Sequence, residues 1–348
     1  MSIRACVRDV ACAVALVVAG CGGGSHAPVS RPLVDDKVPA GFSGGTPVTL
    51  APADNALTEA RAQLGKRLFF DKQLSRTALV SCGTCHLPDN AFSDPKAVSA
   101  GVDDRRGTRN APALVNLAWG ESFFWDGRVA TLEEQAGKPI EHPDEMDLAL
   151  PDAVARIASD ARYAQAFDDA YGGPVTEVSL RLAIASFVRV LVSGESPYDR
   201  HLRGDDAAFG EAERRGEEIF LGEKGNCFHC HPAGMLTNEG FFNNGSATDG
   251  GDSGRQMVTN RTGDAGKFKV PGLRNVEVSA PYMHDGSLAT LEDVVDHYDR
   301  GGNGHPATDP AIEPLGLSAA EKSDLVVFLR ALTDRSFLAD PRWTPPTP

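Results

Sequence analysis

Two five-residue runs, Cys82-Gly83-Thr84-Cys85-His86 and Cys227-Phe228-His229-Cys230-His231, are the residues of this chain best suited to chemistry. Two thiols separated by two residues and followed at once by an imidazole form the attachment pattern of a c-type heme. The spacing lets both sulfurs add to the vinyl groups of one porphyrin, and the adjacent His then lies under the iron as proximal ligand. A C-x-x-C pair also suits zinc, or a thioredoxin-like redox pair. The His placed directly after the second Cys in both copies argues against zinc, and the lack of an α/β pattern around either run argues against the redox pair. His229, inside the second run, reads as a surface residue.

The second axial position decides whether a heme binds substrate or only passes electrons. Counting back from a shared Asp-Gly, Phe123, Phe124 and Trp125 in the first half of the chain stand where Tyr282, Met283 and His284 stand in the second. The second copy offers three ligands and the first offers none. Heme two is therefore expected to be six-coordinate, and heme one open to a small molecule.

The elements that must position these groups read as helices. Helical spacing marks Thr58 to Phe70, Pro151 to Tyr171, Val178 to Val192, Glu211 to Leu221, Leu291 to Tyr298 and Ser318 to Leu332, and no segment alternates like a strand. Between them run loops rich in Gly, Asn, Asp and Pro, which two hemes would give something to pack on. The chain also repeats itself at an offset of about 150 residues. Gly65-Lys66-Arg67-Leu68-Phe69-Phe70 answers to Gly216-Glu217-Glu218-Ile219-Phe220-Leu221, Arg109-Asn110 to Arg274-Asn275, and Asp126-Gly127 to Asp285-Gly286. The predicted fold class is mainly α: two tandem cytochrome c-like heme domains with long ordered loops. A length of 348 residues suits two such units. They are placed at 54–200, the N-terminal domain, and 201–338, the C-terminal domain, followed by a tail at 339–348.

At the N-terminus, Arg4 and Arg8 precede an apolar run from Val10 to Ala19 and then Gly20-Cys21, the form of a lipoprotein signal. Residues 1–20 are read as a signal peptide, Cys21 as lipidated, and 21–53 as a flexible tether. The expected location is the periplasm, tethered to the membrane through Cys21. Of seven cysteines none is left for a disulfide: Cys6 and Cys12 leave with the signal, Cys21 takes lipid, and four hold hemes. The formal charge of -14 makes nucleic acid and anionic lipid poor partners and attracts a basic redox protein.

Several runs, taken together and in order, resemble the bacterial diheme cytochrome c peroxidases and the related methylamine-utilisation enzyme MauG. They are Leu64 to Asp71, the two C-x-x-C-H runs, Arg109-Asn110-Ala111-Pro112, Phe124-Trp125-Asp126-Gly127-Arg128, Gln135, Glu145-Met146, Leu273-Arg274-Asn275-Val276 and Ala280 to Gly286. The resemblance spans about residues 54–335. It implies two covalent hemes c, a peroxidatic one in the N-terminal half and an electron-accepting one in the C-terminal half, with a calcium ion between the domains. It also implies roles: Trp125 resembles the tryptophan between the porphyrins, Gln135 and Glu145 the distal pair at the peroxide site, and Asn110 a calcium ligand. Partners implied are hydrogen peroxide and a small cytochrome c or cupredoxin, and members are often homodimers.

Two departures matter. The loop from Phe92 to Thr108 lacks the histidine that caps the peroxidatic iron in many members, so the first heme is expected to be open without reductive activation. The methionine that ligates the second heme in some members falls on Ala280, which leaves Tyr282 favoured and Met283 as competitor for the distal position. His142, His201, His297 and His305 read as ordinary surface or capping residues, and Tyr298 and Trp343 as packing. The leading function is reduction of hydrogen peroxide to water with electrons from a small redox protein. The alternative is a MauG-like oxidase of a protein substrate.

Overall fold

The computed structural model describes residues 31–246 and 251–346. The expected signal segment and Cys21 lie outside the described residues. Among those described, the chain is mainly helical, and its strands are two residues each, Phe241–Phe242 paired antiparallel with Phe268–Lys269. No helix among them is long and apolar enough to cross a membrane.

Each half is built on a crossed pair of helices. Glu59–Phe70 packs on Glu177–Arg189, and Glu211–Leu221 packs on Ala319–Arg330. Side-chain oxygens cap three of the four: Thr58 accepts from Arg61 N, and Thr176 with Ser179 and Ser318 with Glu321 form capping boxes that satisfy otherwise orphaned amides. The repeated glycine explains the crossing. A Cβ on Gly65 would run into the Ala183 carbonyl, and one on Gly216 into that of Asp324, so backbone meets backbone at both crossings. Beside them Leu64, Leu68, Phe69 and Phe187 are buried in the first core, and Phe220, Phe328 and Leu329 in the second. Full burial of such a side chain contributes about 1.5–3 kcal/mol.

Three expectations change in detail. The helix expected over 151–171 is two, Leu150–Ser159 and Ala161–Tyr171, because Asp160 turns extended and caps the second through Arg162 N. Pro197–Leu202 is a further helix at the expected boundary, signalled by Ser196 and Asp199, which form its capping box. The segment from 32 to 53, expected as tether, packs on the body instead. Leu33 is buried, Phe42 lies edge-on to Trp119 at 4.8 Å, and the buried Arg274 reaches the Ala40 carbonyl while its guanidinium covers the Phe42 ring. The expected tail likewise returns to the body, where Trp343 joins Phe92 and Phe187 in the first core.

The repeat also has a different register from the one the sequence suggests. Asn116 and Asn275 share a left-handed backbone (φ 61° and 62°), and each starts a single 3-10 turn. Asn275 therefore answers to Asn116, not Asn110. Asn116 donates to the Ser193 carbonyl, and Asn275 donates to Ser193 Oγ and accepts from Asp334 N. Fully buried Asp334 then accepts from the amides of Gly194, Glu195 and Phe337, each at 2.9 Å. This knot ties the segment joining the halves to the end of the chain.

Burial pushes the Asp334 carboxyl up, but hydrogen bonds from Ser336, Phe337 and Glu195 outweigh it and hold its pKa below the ordinary value. A depressed carboxyl stabilises the fold above its unfolded pKa of about 3.9 and loses that contribution as pH falls through the lower folded value. Asp334→Asn is thus expected to lower the thermal midpoint at neutral pH, with the gap to wild type closing in acid. In a second series Gly65→Ala and Gly216→Ala are each expected to cost about 1–3 kcal/mol by forcing the helices apart. Gly173→Ala, whose Cβ meets open space, should leave the midpoint unmoved in the same scan.

Candidate active site

Both C-x-x-C-H runs face one continuous cavity that passes from the first half to the second. Cys82–Cys85 is a single helical turn capped by Ser81 and Thr84, and Cys227–His229 a 3-10 turn. All four thiols are free, and burial pushes them up, to about 12 for Cys82 and Cys227 and about 11 for Cys85 and Cys230. Neutral, unpaired thiols lining an apolar cavity are suited to covalent attachment and poor at holding a bare metal ion.

The two histidines are prepared alike. His86 Nδ1 lies 2.7 Å from the Phe92 carbonyl, and His231 Nδ1 lies 2.8 Å from that of Leu236. A carbonyl only accepts, so Nδ1 carries the proton and Nε2 is left with a lone pair for iron. Burial lowers both pKa values, that of His231 to about 4, which keeps the rings uncharged. Phe92 and Leu236 both hold a left-handed backbone, φ 59° and 57°. Such a conformation costs about 1–2 kcal/mol for a residue with a Cβ, and at both positions it turns a carbonyl onto the ligand.

On the first half's side of the cavity stand Phe124, Arg128, Gln135 and Glu145. Thr131 caps the turn Leu132–Gln135 that delivers Gln135. Glu145 is fixed by its backbone, whose carbonyl accepts from Val102 N at 2.8 Å and thereby holds the histidine-free loop against it. The carboxyl opens onto the cavity with 44 % of its side chain accessible, yet protein surrounds it. Desolvation raises its pKa, opposed by the charges of His142 and Arg128. Arg128 is stacked on Phe124, its guanidinium 3.5 Å from the ring centre, and is paired with Asp126. Of the loop residues that reach the cavity, Ser93, Val98, Ser99, Gly101 and Gly107, none carries an imidazole or thioether.

Trp125 lies where the halves meet. Its Nε1 donates to the Asn110 carbonyl at 2.8 Å, and its own carbonyl accepts from Lys269 N at 2.7 Å. Asn110 spends its Nδ2 on the carbonyls of Lys96 and Ala97, so only its amide oxygen is left to offer a cation.

Around the second C-x-x-C-H run the candidates separate. Tyr282 donates its hydroxyl to the Val276 carbonyl at 3.0 Å, and the charges that reach it are those of Glu277, Glu292 and Arg330. His284 is stacked on Phe268, ring centres 3.7 Å apart. Met283 offers its sulfur to Asn244 Nδ2 at 3.2 Å. Tyr298, expected only to pack, also lines the cavity. Burial pushes its hydroxyl up to about 12, and that hydroxyl accepts from Asn244 Nδ2 at 3.1 Å. It closes the helix Leu291–Asp299 on the same face as Leu291 and Val294. A tyrosine on an apolar helix face was the signal available in the sequence, since a buried hydroxyl needs a partner. His297, expected as an ordinary surface or capping residue, is buried, with Nε2 bonded to the Asn244 carbonyl at 2.9 Å.

The family model for di-haem cytochrome c peroxidase (CCP_MauG) matches residues 59–207. The methylamine utilization protein MauG of Methylorubrum extorquens is 41 % identical over 285 residues, covering 81 % of this chain and 80 % of that protein. The cytochrome c551 peroxidase of Pseudomonas aeruginosa is 36 % identical over 250 residues, covering 69 % and 71 %. The chain belongs to the diheme cytochrome c peroxidase and MauG family. Among solved structures, a MauG-like protein associated with microbial copper homeostasis superposes with a TM-score of 0.81 at 36 % identity, covering 85 % of this chain and 95 % of that one. Family membership makes this chain an oxidoreductase acting on peroxide and implies two hemes c. The free buried thiols and the pre-set imidazoles fit that group at both runs.

A carboxyl with a raised pKa acts as a base only above that pKa. The bimolecular reaction of the holoprotein with peroxide, followed by stopped-flow at the Soret band, is therefore expected to slow as pH falls through a value above 4.5. Glu145→Gln should remove that dependence and slow the reaction by about 10²–10⁴.

Proposed function

We propose that this chain reduces hydrogen peroxide to water at the first heme, using electrons that a small cytochrome c or cupredoxin delivers to the second heme. One observation carries the reading: Gln135 and Glu145 share the cavity with His86, while the loop from Phe92 to Thr108 brings no ligand to it. When bound, heme supplies the iron that holds peroxide and the electrons that split its O–O bond. The protein's part is to move protons and orient the oxygen atoms. The Glu145 carboxylate takes a proton from the near oxygen and returns it to the leaving one, and the Gln135 amide orients the molecule. The charges of His142 and Arg128 oppose the rise that burial imposes on the Glu145 carboxyl. Trp125, hydrogen-bonded to both halves, is the bridge for electrons.

The second heme is closed, on this reading, by Tyr298 rather than Tyr282 or Met283. The support is that Tyr298 lines the same cavity as Cys227, Cys230 and His231 and its hydroxyl accepts from Asn244 Nδ2, whereas that of Tyr282 is used on the Val276 carbonyl. Tyr298→Phe should change the low-spin electron paramagnetic signal of the second heme, and Tyr282→Phe should not. Asn110 would offer its amide oxygen to a calcium ion, and Cys21 would carry a lipid that keeps the protein at the periplasmic face of a membrane.

Peroxide-dependent oxidation of a reduced small cytochrome c by the fully oxidised holoprotein tests the reading. Immediate turnover, no faster when the holoprotein is first reduced, is the expected result. A second reading, oxidation of side chains of a protein substrate as in a MauG-like enzyme, is favoured by the tyrosine at 298 and by the 41 % identity to a MauG. Absence of turnover even after reduction, together with a long-lived spectral change on adding peroxide, would favour it.

A further inference from the structure

We infer that Asn244 selects the distal ligand of the second heme, favouring the oxygen of Tyr298 over the sulfur of Met283, and so sets that heme's reduction potential. The inference rests on the assignment of Tyr298 to the iron. Asn244 Nδ2 donates one hydrogen to Tyr298 Oη at 3.1 Å and the other to Met283 Sδ at 3.2 Å, so a single amide holds both competing atoms at the cavity wall.

The amide cannot turn over. Its Oδ1 accepts from Ser246 N at 3.1 Å and from Ser246 Oγ at 2.6 Å, and a backbone N–H can only donate. The nitrogen is therefore the atom facing Tyr298 and Met283, an assignment fixed by the network. Asn244 is in turn fastened from behind. Its backbone carbonyl accepts from Nε2 of buried His297 at 2.9 Å, and His297 Nδ1 faces Arg300 Nη2 at 3.3 Å.

Equal geometry does not give equal stabilisation. A tyrosine bound to iron presents an anionic oxygen, and an N–H donated to an anion is worth about twice one donated to a neutral group. A thioether is a weak, neutral acceptor, so the same donation does little for a methionine-bound state and occupies a sulfur lone pair. Met283 is further restrained by its left-handed backbone, φ 72°. The oxygen donor lowers the potential of the iron and the thioether raises it, so the amide's choice is a choice of potential.

The test is made on the holoprotein with Asn244→Leu and with Asn244→Asp, which keeps the shape but has no N–H to give. Resonance Raman for the iron-phenolate mode, the near-infrared sulfur-to-iron band and a potentiometric titration of the second heme are read together. Both variants are expected to shift the balance of tyrosine to methionine ligation about tenfold toward methionine, as loss of one charge-assisted hydrogen bond implies. The potential should rise with it. Adding Met283→Leu to Asn244→Leu should restore the tyrosine signature, because the competitor is gone. Unchanged ligation and potential in both single variants, in protein with full heme content, would overturn the inference. Tyr298→Phe separates the two claims: if it leaves the second heme's spectrum as in wild type, the ligand assignment itself fails, and if it alters the spectrum while the Asn244 variants do not, only the role of Asn244 fails.

Discussion

A histidine that is to hold an iron must be buried, uncharged and aimed, and in this protein burial keeps both rings uncharged while two backbone carbonyls aim them. Phe92 and Leu236 each adopt a left-handed conformation that points the carbonyl at Nδ1 of the histidine five or six residues earlier. The proton is thereby kept on Nδ1 and the lone pair on Nε2 is presented to the cavity. The local strain persists because the helix pairs around it leave no alternative. Phe69 lies between His86 and Phe187 in one core, and Phe220 between His231 and Phe328 in the other. Those pairs close only where Gly65 and Gly216 let backbones touch.

Once the two imidazoles are set, the halves must be held in one register so that the cavity is continuous. Arg109 does much of this: it bonds Asp126, the neighbour of Trp125, at 2.6 Å, and reaches across to Asp252 at 2.6 Å. Arg255 returns the contact from the second half by donating to the carbonyls of Asp126 and Gly127, both at 2.8 Å. The tryptophan at the junction is thus surrounded by charge-assisted bonds that cross between the halves, which keeps its ring in place without filling the cavity with polar atoms. The Asp334 knot performs the same service on the far side, where chain end and linker meet.

Much of this was legible in the sequence because the covalent motif is local and the helices are periodic. The C-x-x-C-H runs, the paired helices and the repeat of Gly65 in Gly216 need no tertiary information. The register of the asparagines was misread because the Arg-Asn pair at 109–110 drew the match, although Asn116 and Asn275 both stand ten residues before the shared Asp-Gly. The segment 32–53 reads as linker by composition. What packs it is the buried Leu33 and one aromatic, Phe42, which meets Trp119 and Arg274, residues far away in the chain. Glu145 and Gln135 were expected at the site and do line one cavity, which Tyr298 and Asn244, not singled out from the sequence as site residues, line as well. Tyr298 was hidden as a core position on an amphipathic helix, Asn244 within a loop of low periodicity, and only the fold brings them to the same atoms.

The function proposed above makes the two irons unequal, one open at Glu145 and Gln135 and the other closed by a side chain of the second half. Electron paramagnetic resonance of the fully oxidised holoprotein, untouched by reductant or peroxide, reads both irons at once. One high-spin and one low-spin ferric signal of equal weight are expected. Two low-spin signals would mean that a side chain closes the first iron as well, and the open site proposed here would be wrong.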